Sequence, residues 1–536
     1  MRRSALAFTL AMAAMIALAS VALGVGPGGW DHLGVGATSA IPSLNGTVTA
    51  LNADAPGILL VGGSFTAAGG TSNASRVATW NGTAWGALNG TPISNGTVSA
   101  LAYHAGKVYA GGTFLNAGGN PDADFLAVWD GFGWAPFCNS TKPGPAFGGS
   151  VAALQVIGNT LFVGGAFQNG AGIDAADYLL ACDLTTGASS STVGSDGDFT
   201  GGVYALTADS NGTLYAGGTF INLDTIAAAD HVAAYDGTWH AMGSGPSTGA
   251  GAVDSIVRGL AANGTDVYVG TDASNVAGIA AADHVAKWNG SAWSALGSNG
   301  SGNGWFTTTT FINALTVAGP LVFAAGSFQN ANGVATADDI AYFDGSAWRP
   351  IGSNGAGNGP MIANLTALAV FRSKVHVAGN FTSAGGDVKA QFLAAYALKL
   401  PDARIGAASA GPFVGNAIYS STAVGEARTI YITRGRSGNL YVNIQNDGLV
   451  AAAFTVKGTG SARGFTVHYY RGSTDVTTSV KAGTYSTGAI AARGSITLRV
   501  KVTLSKTSAS IGSYVIRASS VSGTPADAVK AIVKAR

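Results

Sequence analysis

Short apolar stretches bounded by glycine, asparagine or aspartate return along residues 46–400 at nearly constant spacing. In the first unit they predict four strands, at residues 47–51, 57–65, 76–80 and 84–88. Asn81-Gly82 joins the third strand to the fourth. This dipeptide favours a two-residue hairpin, because both of its central residues must take positive φ. Each unit is therefore predicted to be a small antiparallel sheet of four strands.

The clearest recurring motif, which we call the Gly-Gly motif, is Val61-Gly62-Gly63-Ser64-Phe65 at the end of the second strand. It recurs six times, and the copy Val269-Gly270-Thr271 has threonine in place of the second glycine. The position of the second glycine falls at residues 63, 112, 165, 218, 271, 326 and 379. A period near 50 residues indicates repeated supersecondary units. Seven units of four strands predict an all-β, seven-bladed β-propeller.

The last repeat and the start of the chain complement each other. The last repeat runs into Pro401 without a fourth strand, whereas an isolated strand with Trp30 stands near the N-terminus. We predict that this N-terminal strand completes the seventh blade and closes the ring. Closure removes free sheet edges, which would otherwise invite aggregation.

The Gly-Gly motif and the aromatic residues around each Asn-Gly or Asp-Gly turn resemble those of kelch-like propellers. The chain looks most similar to secreted, glycine-rich propellers typified by the fungal cortical polarity marker. The resemblance covers about residues 28–400. The resemblance implies a propeller fold, which we assign to residues 25–400. It says little about function.

The C-terminal part has a different texture. Residues 421–536 contain seven strand candidates separated by turns, at residues 429–433, 440–445, 452–457, 465–470, 496–504, 514–518 and 529–533. This pattern predicts an immunoglobulin-like β-sandwich. It resembles accessory domains of exported bacterial proteins, and residues 401–420 are interpreted as a linker.

The first 24 residues are interpreted as a signal peptide. Arg2-Arg3 precede an apolar run, and Ala17-Leu18-Ala19 fits the small-x-small cleavage rule. An uncleaved anchor is the alternative, because the run is nearly long enough to span a membrane. We expect a secreted or cell-surface protein of bacterial type, with no membrane span after cleavage.

Charge and cysteine content narrow the picture further. Charged residues make up 10% of the chain and the net charge is +1, which offers no electrostatic case for nucleic acid or an anionic membrane. The two cysteines, Cys138 and Cys182, can pair in an exported protein. Two buried thiols are the alternative.

Loop lengths indicate the working surface. The connections from second to third strand and from fourth to first strand are long, and both emerge on one side of an antiparallel sheet. We call this the long-connection side, and loops on a rigid scaffold commonly carry function. The candidate binding residues there are Phe147, Asp196, Asp198, Phe199, Trp305, Phe306 and Met361. Trp305-Phe306 is expected to be exposed; in the alternative, these aromatics fold back as lids.

An aspartate recurs at the end of the second long connection, at Asp124, Asp177, Asp230, Asp283 and Asp338. A ring of carboxylates would suit calcium. Recurrence favours a structural role instead, with each Asp accepting backbone hydrogen bonds. His231 and His284 follow two of these residues, which fits a metal pair or simple duplication. No other cofactor is indicated.

The sequence offers little support for a catalytic site. Residues 25–400 contain no Glu, although glycosidases usually need a carboxylate pair. The sequence therefore favours a monomeric, non-enzymatic binding or scaffold protein that engages a glycan or a surface protein through the long-connection side. The alternatives are a secreted carbohydrate-active enzyme and a structural component of the cell envelope.

Overall fold

The computed structural model describes residues 29–34, 42–71, 73–138, 146–190, 193, 199–246, 250–306, 310–361, 363–415, 423, 426–520 and 526–536. The predicted signal peptide lies outside these residues. Within them the chain is nearly all β and divides into two compact units. The first contains residues 32–372 and 376–394, and the second contains residues 29–31, 373–375 and 395–536. No helix among the described residues has the length and apolarity needed to cross a membrane.

Repeated four-stranded antiparallel sheets occupy the N-terminal three quarters of the chain. Sheet 1 contains β2 (Val48–Asn52), β3 (Leu59–Gly63), β4 (Val77–Trp80) and β5 (Trp85–Ala87). Sheet 2 contains β6 (Val98–His104), β7 (Lys107–Gly112), β8 (Leu126–Trp129) and β9 (Trp134–Pro136). Sheet 3 contains β10 (Val151–Ile157), β11 (Thr160–Gly165), β12 (Leu179–Asp183) and β13 (Ser189–Ser190).

The later sheets have the same order of strands. Sheet 4 contains β14 (Val203–Ala208), β15 (Leu214–Gly218), β16 (Val232–Tyr235) and β17 (Trp239–Ala241). Sheet 5 contains β18 (Val257–Asn263), β19 (Asp266–Thr271), β20 (Val285–Trp288) and β21 (Trp293–Ala295). Sheet 6 contains β22 (Phe311–Ala318), β23 (Leu321–Ser327), β24 (Ile340–Phe343) and β25 (Trp348–Pro350). Five short 3-10 helices lie in the long connections of sheets 2 to 6, at Ala117–Gly119, Gly170–Gly172, Leu223–Thr225, Val276–Gly278 and Ala331–Gly333.

Sheet 7 combines strands from the two ends of the repeat region. It has the order β1-β28-β27-β26, with β1 (Trp30–Asp31), β26 (Leu365–Phe371), β27 (Lys374–Gly379) and β28 (Leu393–Ala397). Trp30 lies opposite Tyr396, and Asp31 lies opposite Ala395. The N-terminal strand therefore joins the sheet of the last repeat, as the sequence predicts.

The second glycine of the Gly-Gly motif is fixed by a close backbone approach. A Cβ atom at Gly112 would collide with the carbonyl oxygen of Thr97, and one at Gly218 would collide with that of Gly202. The fifth repeat has Thr271 at this position. Its hydroxyl instead donates a hydrogen bond of 2.8 Å to the equivalent carbonyl, that of Ile256.

The first strand of each sheet contacts the first strand of the next, and β26 contacts β2. Hydrogen bonds join these inner strands. The Thr49 hydroxyl donates to the Val98 carbonyl at 2.6 Å, and the Thr366 hydroxyl donates to the Val48 carbonyl at 2.8 Å. The sheets of the first unit therefore follow one another in a closed, propeller-like arrangement.

Neighbouring sheets are also tied near their fourth strands. The indole N–H of Trp85 donates to the carbonyl of Leu33, and that of Trp239 donates to the carbonyl of Val193, both at 2.6 Å. Each acceptor follows the fourth strand of the preceding sheet. Sheet 3 has no such tryptophan. Its Cys182 forms a disulfide with Cys138, which follows the fourth strand of sheet 2, so the cross-link replaces the indole contact.

The second unit holds two further sheets. One has six strands in the order β30-β29-β32-β37-β34-β35, and the other has five in the order β31-β39-β38-β33-β36. The strands are β29 (Pro401–Gly406), β30 (Phe413–Val414), β31 (Ala427–Ile432), β32 (Ser437–Asn446), β33 (Thr455–Gly458), β34 (Phe465–Arg471), β35 (Thr474–Asp475), β36 (Tyr485–Ser486), β37 (Ser495–Leu504), β38 (Ile511–Ser519) and β39 (Ala526–Ala535). One short helix, α1, spans Thr477–Ala482.

Both sheets of the second unit contribute alternate apolar residues to one core, which includes Val442, Val500, Ile516 and Val533. All seven predicted strands are present. The predicted linker at residues 401–420 is wrong for residues 401–406, which form β29 and pair with β32. Alternation was visible there, because Ala403 and Ile405 point into the core while Asp402 and Arg404 lie between them.

Candidate functional site

In sheets 4 to 6, the recurrent aspartates tie the two long connections together. Oδ1 of Asp230 accepts the N–H of Asn222 at 2.8 Å, and Oδ2 accepts the N–H of Gly251 at 3.0 Å. Asp283 and Asp338 bind two backbone N–H groups in the same way. Asp124 and Asp177 accept the bond from the asparagine eight residues before them. These carboxylates order the loops, as the structural interpretation predicted.

The two histidines after these aspartates also occupy a structural position. Nδ1 of His231 and of His284 lies 3.3 Å from the carbonyl oxygen of Gly218 and of Thr271, respectively. Both residues have φ near +60°. The equivalent residue of every other sheet shares this left-handed conformation: Arg76, Phe125, Tyr178, Asp339 and Phe392. Among the described residues, no group of three or more His, Cys, Asp or Glu side chains could hold a metal ion.

The expected exposure of Trp305-Phe306 is wrong. Trp305 is 6% exposed and Phe306 is 2% exposed. Trp305 stacks on Trp348, with ring centroids 6.3 Å apart, and Phe306 packs edge-on against Phe328 at 5.0 Å. These rings therefore cover the end of sheet 6, which is the lid alternative.

The other predicted contact residues are buried for the same reason. Phe147 packs against Phe167, the phenylalanine of the next Gly-Gly motif, with centroids 4.7 Å apart. Phe199 packs against Phe220 at 5.2 Å, and Met361 is 2% exposed. Asp196 and Asp198 lie outside the described residues.

A sequence signal for this burial was available. An apolar residue stands four or five positions before the first strand of each sheet, and all seven are buried: Leu44, Ile93, Phe147, Phe199, Val253, Phe306 and Met361. The aromatic members of this set are variants of a scaffold position. They do not depart from the repeat.

Other residues on the long-connection side are exposed. Six of the large apolar side chains in the described part of the first unit are well exposed, and five of these belong to the long-connection side: Leu115, Tyr204, Ile221, Phe311 and Val388. Phe132, in a short turn, is the sixth. Tyr204 and Phe311 differ from the others because they lie within the first strands of their sheets.

Tyr204, Arg258, Asp272 and Phe311 form a cluster that we call the inner-strand site. Tyr204 is the second residue of β14, Arg258 the second residue of β18, and Phe311 the first residue of β22. Their sheets 4, 5 and 6 are consecutive, and their inner strands contact one another. The Arg258 guanidinium carbon lies 5.4 Å from the centroid of the Phe311 ring. Tyr204 and Phe311 are 39% and 44% exposed.

Asp272 holds the arginine in place. Nη2 of Arg258 donates to Oδ2 of Asp272 at 2.8 Å, and Nε donates to Oδ1 at 2.9 Å. This two-pronged pairing fixes the planar guanidinium. The hydrogen bonds that Arg258 donates to Asp272 raise the pKa of Arg258. The pair therefore offers charged groups of both signs beside two exposed rings.

Sequence reasoning missed this site, although its signal was present. The residues equivalent to Arg258 and Asp272 are small and polar in other sheets. They are Thr49 and Ser64 in sheet 1, and Ser99 and Thr113 in sheet 2. The fifth copy of the Gly-Gly motif, which has Thr271 in place of the second glycine, thus contains Asp272, the acid that binds Arg258.

A shallow pocket of about 240 Å³ lies on the opposite side, among the short turns of sheets 3 and 4. It is lined by Thr160, Asn211 and Asp236, and Asp236 lies 2.9 Å from Nε2 of the exposed His240. Small-molecule sites usually enclose roughly 300–1,000 Å³ and bury most of the ligand. The pocket is therefore a weaker candidate than the inner-strand site.

Comparisons with known proteins identify no family. No family model matches the chain, and no curated protein matches it. Similar solved structures include the N-terminal domain of PorA, at 14% identity over 25% of this chain and 97% of that chain, with a TM-score of 0.18. Another is the secreted serine protease VesC from Vibrio cholerae, at 9% identity over 31% of this chain and 36% of that chain, with a TM-score of 0.16. Neither likeness carries an argument about fold or function.

Proposed function

We propose that this chain is an exported binding protein in which a seven-bladed, kelch-like β-propeller binds a glycan through the inner-strand site. Sheets 1 to 7 are the blades, and the second unit is an immunoglobulin-like sandwich that serves as spacer or attachment module. The succession of inner strands and the contact between β26 and β2 support the propeller. The shared core of the two C-terminal sheets supports the sandwich.

The observation that carries the function is the pair of exposed rings beside an ordered Arg–Asp pair. Aromatic faces stack on sugar rings and supply contact area at low entropic cost. The remaining N–H groups of Arg258 and the oxygens of Asp272 can bind hydroxyl groups in fixed directions. A rigid inner strand positions each of these side chains, so little order must be gained on binding.

A glycan array probed with the full chain tests the proposal, followed by calorimetric titration with the oligosaccharide that binds best. Tyr204→Ala and Phe311→Ala should each weaken binding about tenfold, because a lost ring contact is worth about 1 kcal/mol or more. Phe132→Ala is the matched control, since Phe132 is 80% exposed in a short turn. It should bind as the natural chain does.

Three results would go against the proposal. The array shows no binding; the control loses as much affinity as the two site variants; or the chain cleaves the bound oligosaccharide, which would favour the carbohydrate-active enzyme. Capture of a protein that both site variants fail to bind would keep the surface and change the ligand class.

A further inference from the structure

The net charge of +1 conceals a sharp division along the chain. Residues 401–536 carry 16 of the 28 Lys and Arg residues but 5 of the 27 Asp and Glu residues, a formal charge of +11. Residues 1–400 carry the other 12 basic and 22 acidic residues, a formal charge of −10. The C-terminal part is therefore a strongly basic module attached to an acidic one, and strong local charge governs association with charged partners.

Burial of the acids makes the surface of the second unit still more basic. Asp402, Glu426 and Asp527 are fully buried, and Asp447 is 7% exposed. The fifth acid, Asp475, lies 3.1 Å from Nδ1 of His468. Exposed carboxylates are thus scarce on a unit whose Lys and Arg side chains mostly reach solvent.

Several of these cations share the outer surface of the five-stranded sheet. We define this basic face as Lys457, Arg517, Lys530, Lys534, Tyr431 and Arg536. In β33, β38 and β39 the cations alternate with core residues such as Val456, Ile516 and Val533, so they point away from the core. The part of β39 from Ala528 to Lys534 alone spans about 20 Å.

Register brings like charges together on the basic face. Lys457 lies directly opposite Arg517 on the neighbouring strand. Like charges in this position destabilise a sheet. Lys457, Lys530 and Lys534 form no salt bridge with any described residue of the chain, whereas Lys287 and Lys374 of the repeat region each have an aspartate partner. The three lysines therefore keep positive charge on this face that an anionic partner can pair with.

An aromatic ring extends the face at one end. Tyr431 is 53% exposed and lies opposite Lys534. The guanidinium carbon of Arg536 is 4.4 Å from its ring centroid, and Nζ of Lys534 is 5.9 Å from it. Cations over an exposed ring add a surface suited to sugar rings as well as to anionic groups.

We propose that the basic face binds a linear anionic glycopolymer, and that the second unit thereby attaches the protein to a charged extracellular matrix or envelope. Cations distributed over an extended, open sheet fit a long polyanion with repeated charges. Sugar rings against Tyr431 distinguish a glycopolymer from a polymer of charges alone. This binding is separate from that of the inner-strand site.

The test uses the full chain with two probes, polygalacturonate for carboxylates and polyglycerol phosphate for phosphodiesters, at 50 mM and 300 mM salt. Lys457→Gln, Lys530→Gln and Lys534→Gln combined should weaken binding at low salt at least tenfold. The matched control combines Lys399→Gln, Arg471→Gln and Lys501→Gln, which removes the same charge from other surfaces of the second unit. It should lose less than threefold. Circular dichroism checks that both variants are folded.

The salt dependence provides a second readout. Binding of the natural chain should fall steeply between the two salt concentrations, because ions screen charged contacts. The face variant should show a smaller fall. Loss of oligosaccharide binding by Tyr204→Ala with polymer binding intact would show that the two sites act independently.

The proposal is overturned if neither polymer binds, or if the two triple variants lose affinity equally. It is also overturned if anionic phospholipid vesicles or duplex DNA bind at least as tightly as the polymers. Binding of polygalacturonate, with or without polyglycerol phosphate, supports the proposal. Binding of polyglycerol phosphate alone overturns it, because that polymer has no sugar rings to stack on Tyr431.

Discussion

The third and fifth repeats both depart from the common pattern, and they do so in opposite ways. In the third, Cys182 stands where other repeats have a strand aromatic, and its disulfide joins two buried cysteines. In the fifth, Arg258 and Asp272 replace small polar residues and lie beside two exposed rings. The first departure is absorbed into the contact between sheets, whereas the second reaches solvent. Departure from a repeat therefore indicates function only when the changed side chains remain accessible.

The strongest challenge to this comparison is removal of the cross-link. Combining Cys138→Ala with Cys182→Ala should lower the free energy of unfolding by roughly 3–4 kcal/mol, because the bridge closes a long loop in the unfolded chain. The cysteines are 44 residues apart in sequence. Urea denaturation under oxidising conditions measures the effect. Glycan binding at the inner-strand site should be unchanged.

Reduction supplies the control for that experiment. The natural chain in dithiothreitol should approach the stability of the double variant, and the double variant should not respond to the reductant. An unchanged urea midpoint in the variant would show that the bridge does not replace the indole contacts of the other sheets.

Asp339 in sheet 6 is a further departure from the common pattern, and its carboxyl group makes the stability of the fold depend on pH. Asp339 is 3% exposed, and burial raises its pKa to about 6. Its folded-state pKa lies above the usual 3.8, so the folded chain holds the proton more tightly. The stabilisation from this group is complete below pH 4 and is lost as pH rises through 6.

Asp339→Asn should therefore flatten the decline in stability between pH 4 and pH 7. Chemical denaturation at four pH values across this window measures it. Asp183, Asp236 and Asp387 have lowered pKa values, so their contributions change with pH below 4. A variant with the same slope as the natural chain would assign the decline to other groups.

The smallest change in stability is expected from restoring the common pattern in the fifth repeat. Arg258→Thr combined with Asp272→Ser reproduces the residues of sheet 1 and should alter the free energy of unfolding by about 1 kcal/mol or less, since partly exposed ion pairs contribute little. Binding of the oligosaccharide should nevertheless fall tenfold or more. A large loss of stability would make Arg258 and Asp272 a structural pair like the two cysteines.

The sequence allowed most of the fold to be predicted, because turn residues and the Gly-Gly motif reflect local backbone requirements. The close approach of Gly112 to Thr97 is one such requirement. The strand containing Trp30 could be placed because sheet 7 visibly lacked a fourth strand. Residues 401–406 were missed because Pro401 suggested a break, although its missing N–H is compatible with the first position of a strand.

The candidate site was harder to predict, since exposure depends on which neighbouring sheet a side chain meets. Phe199 and Phe311 are both aromatic residues near the start of an inner strand. Phe199 packs on Phe220, whereas Phe311 lies beside Arg258 and is 44% exposed. Nothing in the local sequence separates these outcomes. Only alignment of all seven repeats shows that Phe199 occupies a shared position.

The hydrogen bond from Thr366 to Val48 joins residues that are 318 positions apart. It can form only after nearly the whole repeat region has been synthesised. Until then, one side of sheet 1 has no neighbouring sheet, and such distant contacts slow folding. A chain that crosses a membrane unfolded would avoid this interval inside the cell and would complete its architecture at its destination.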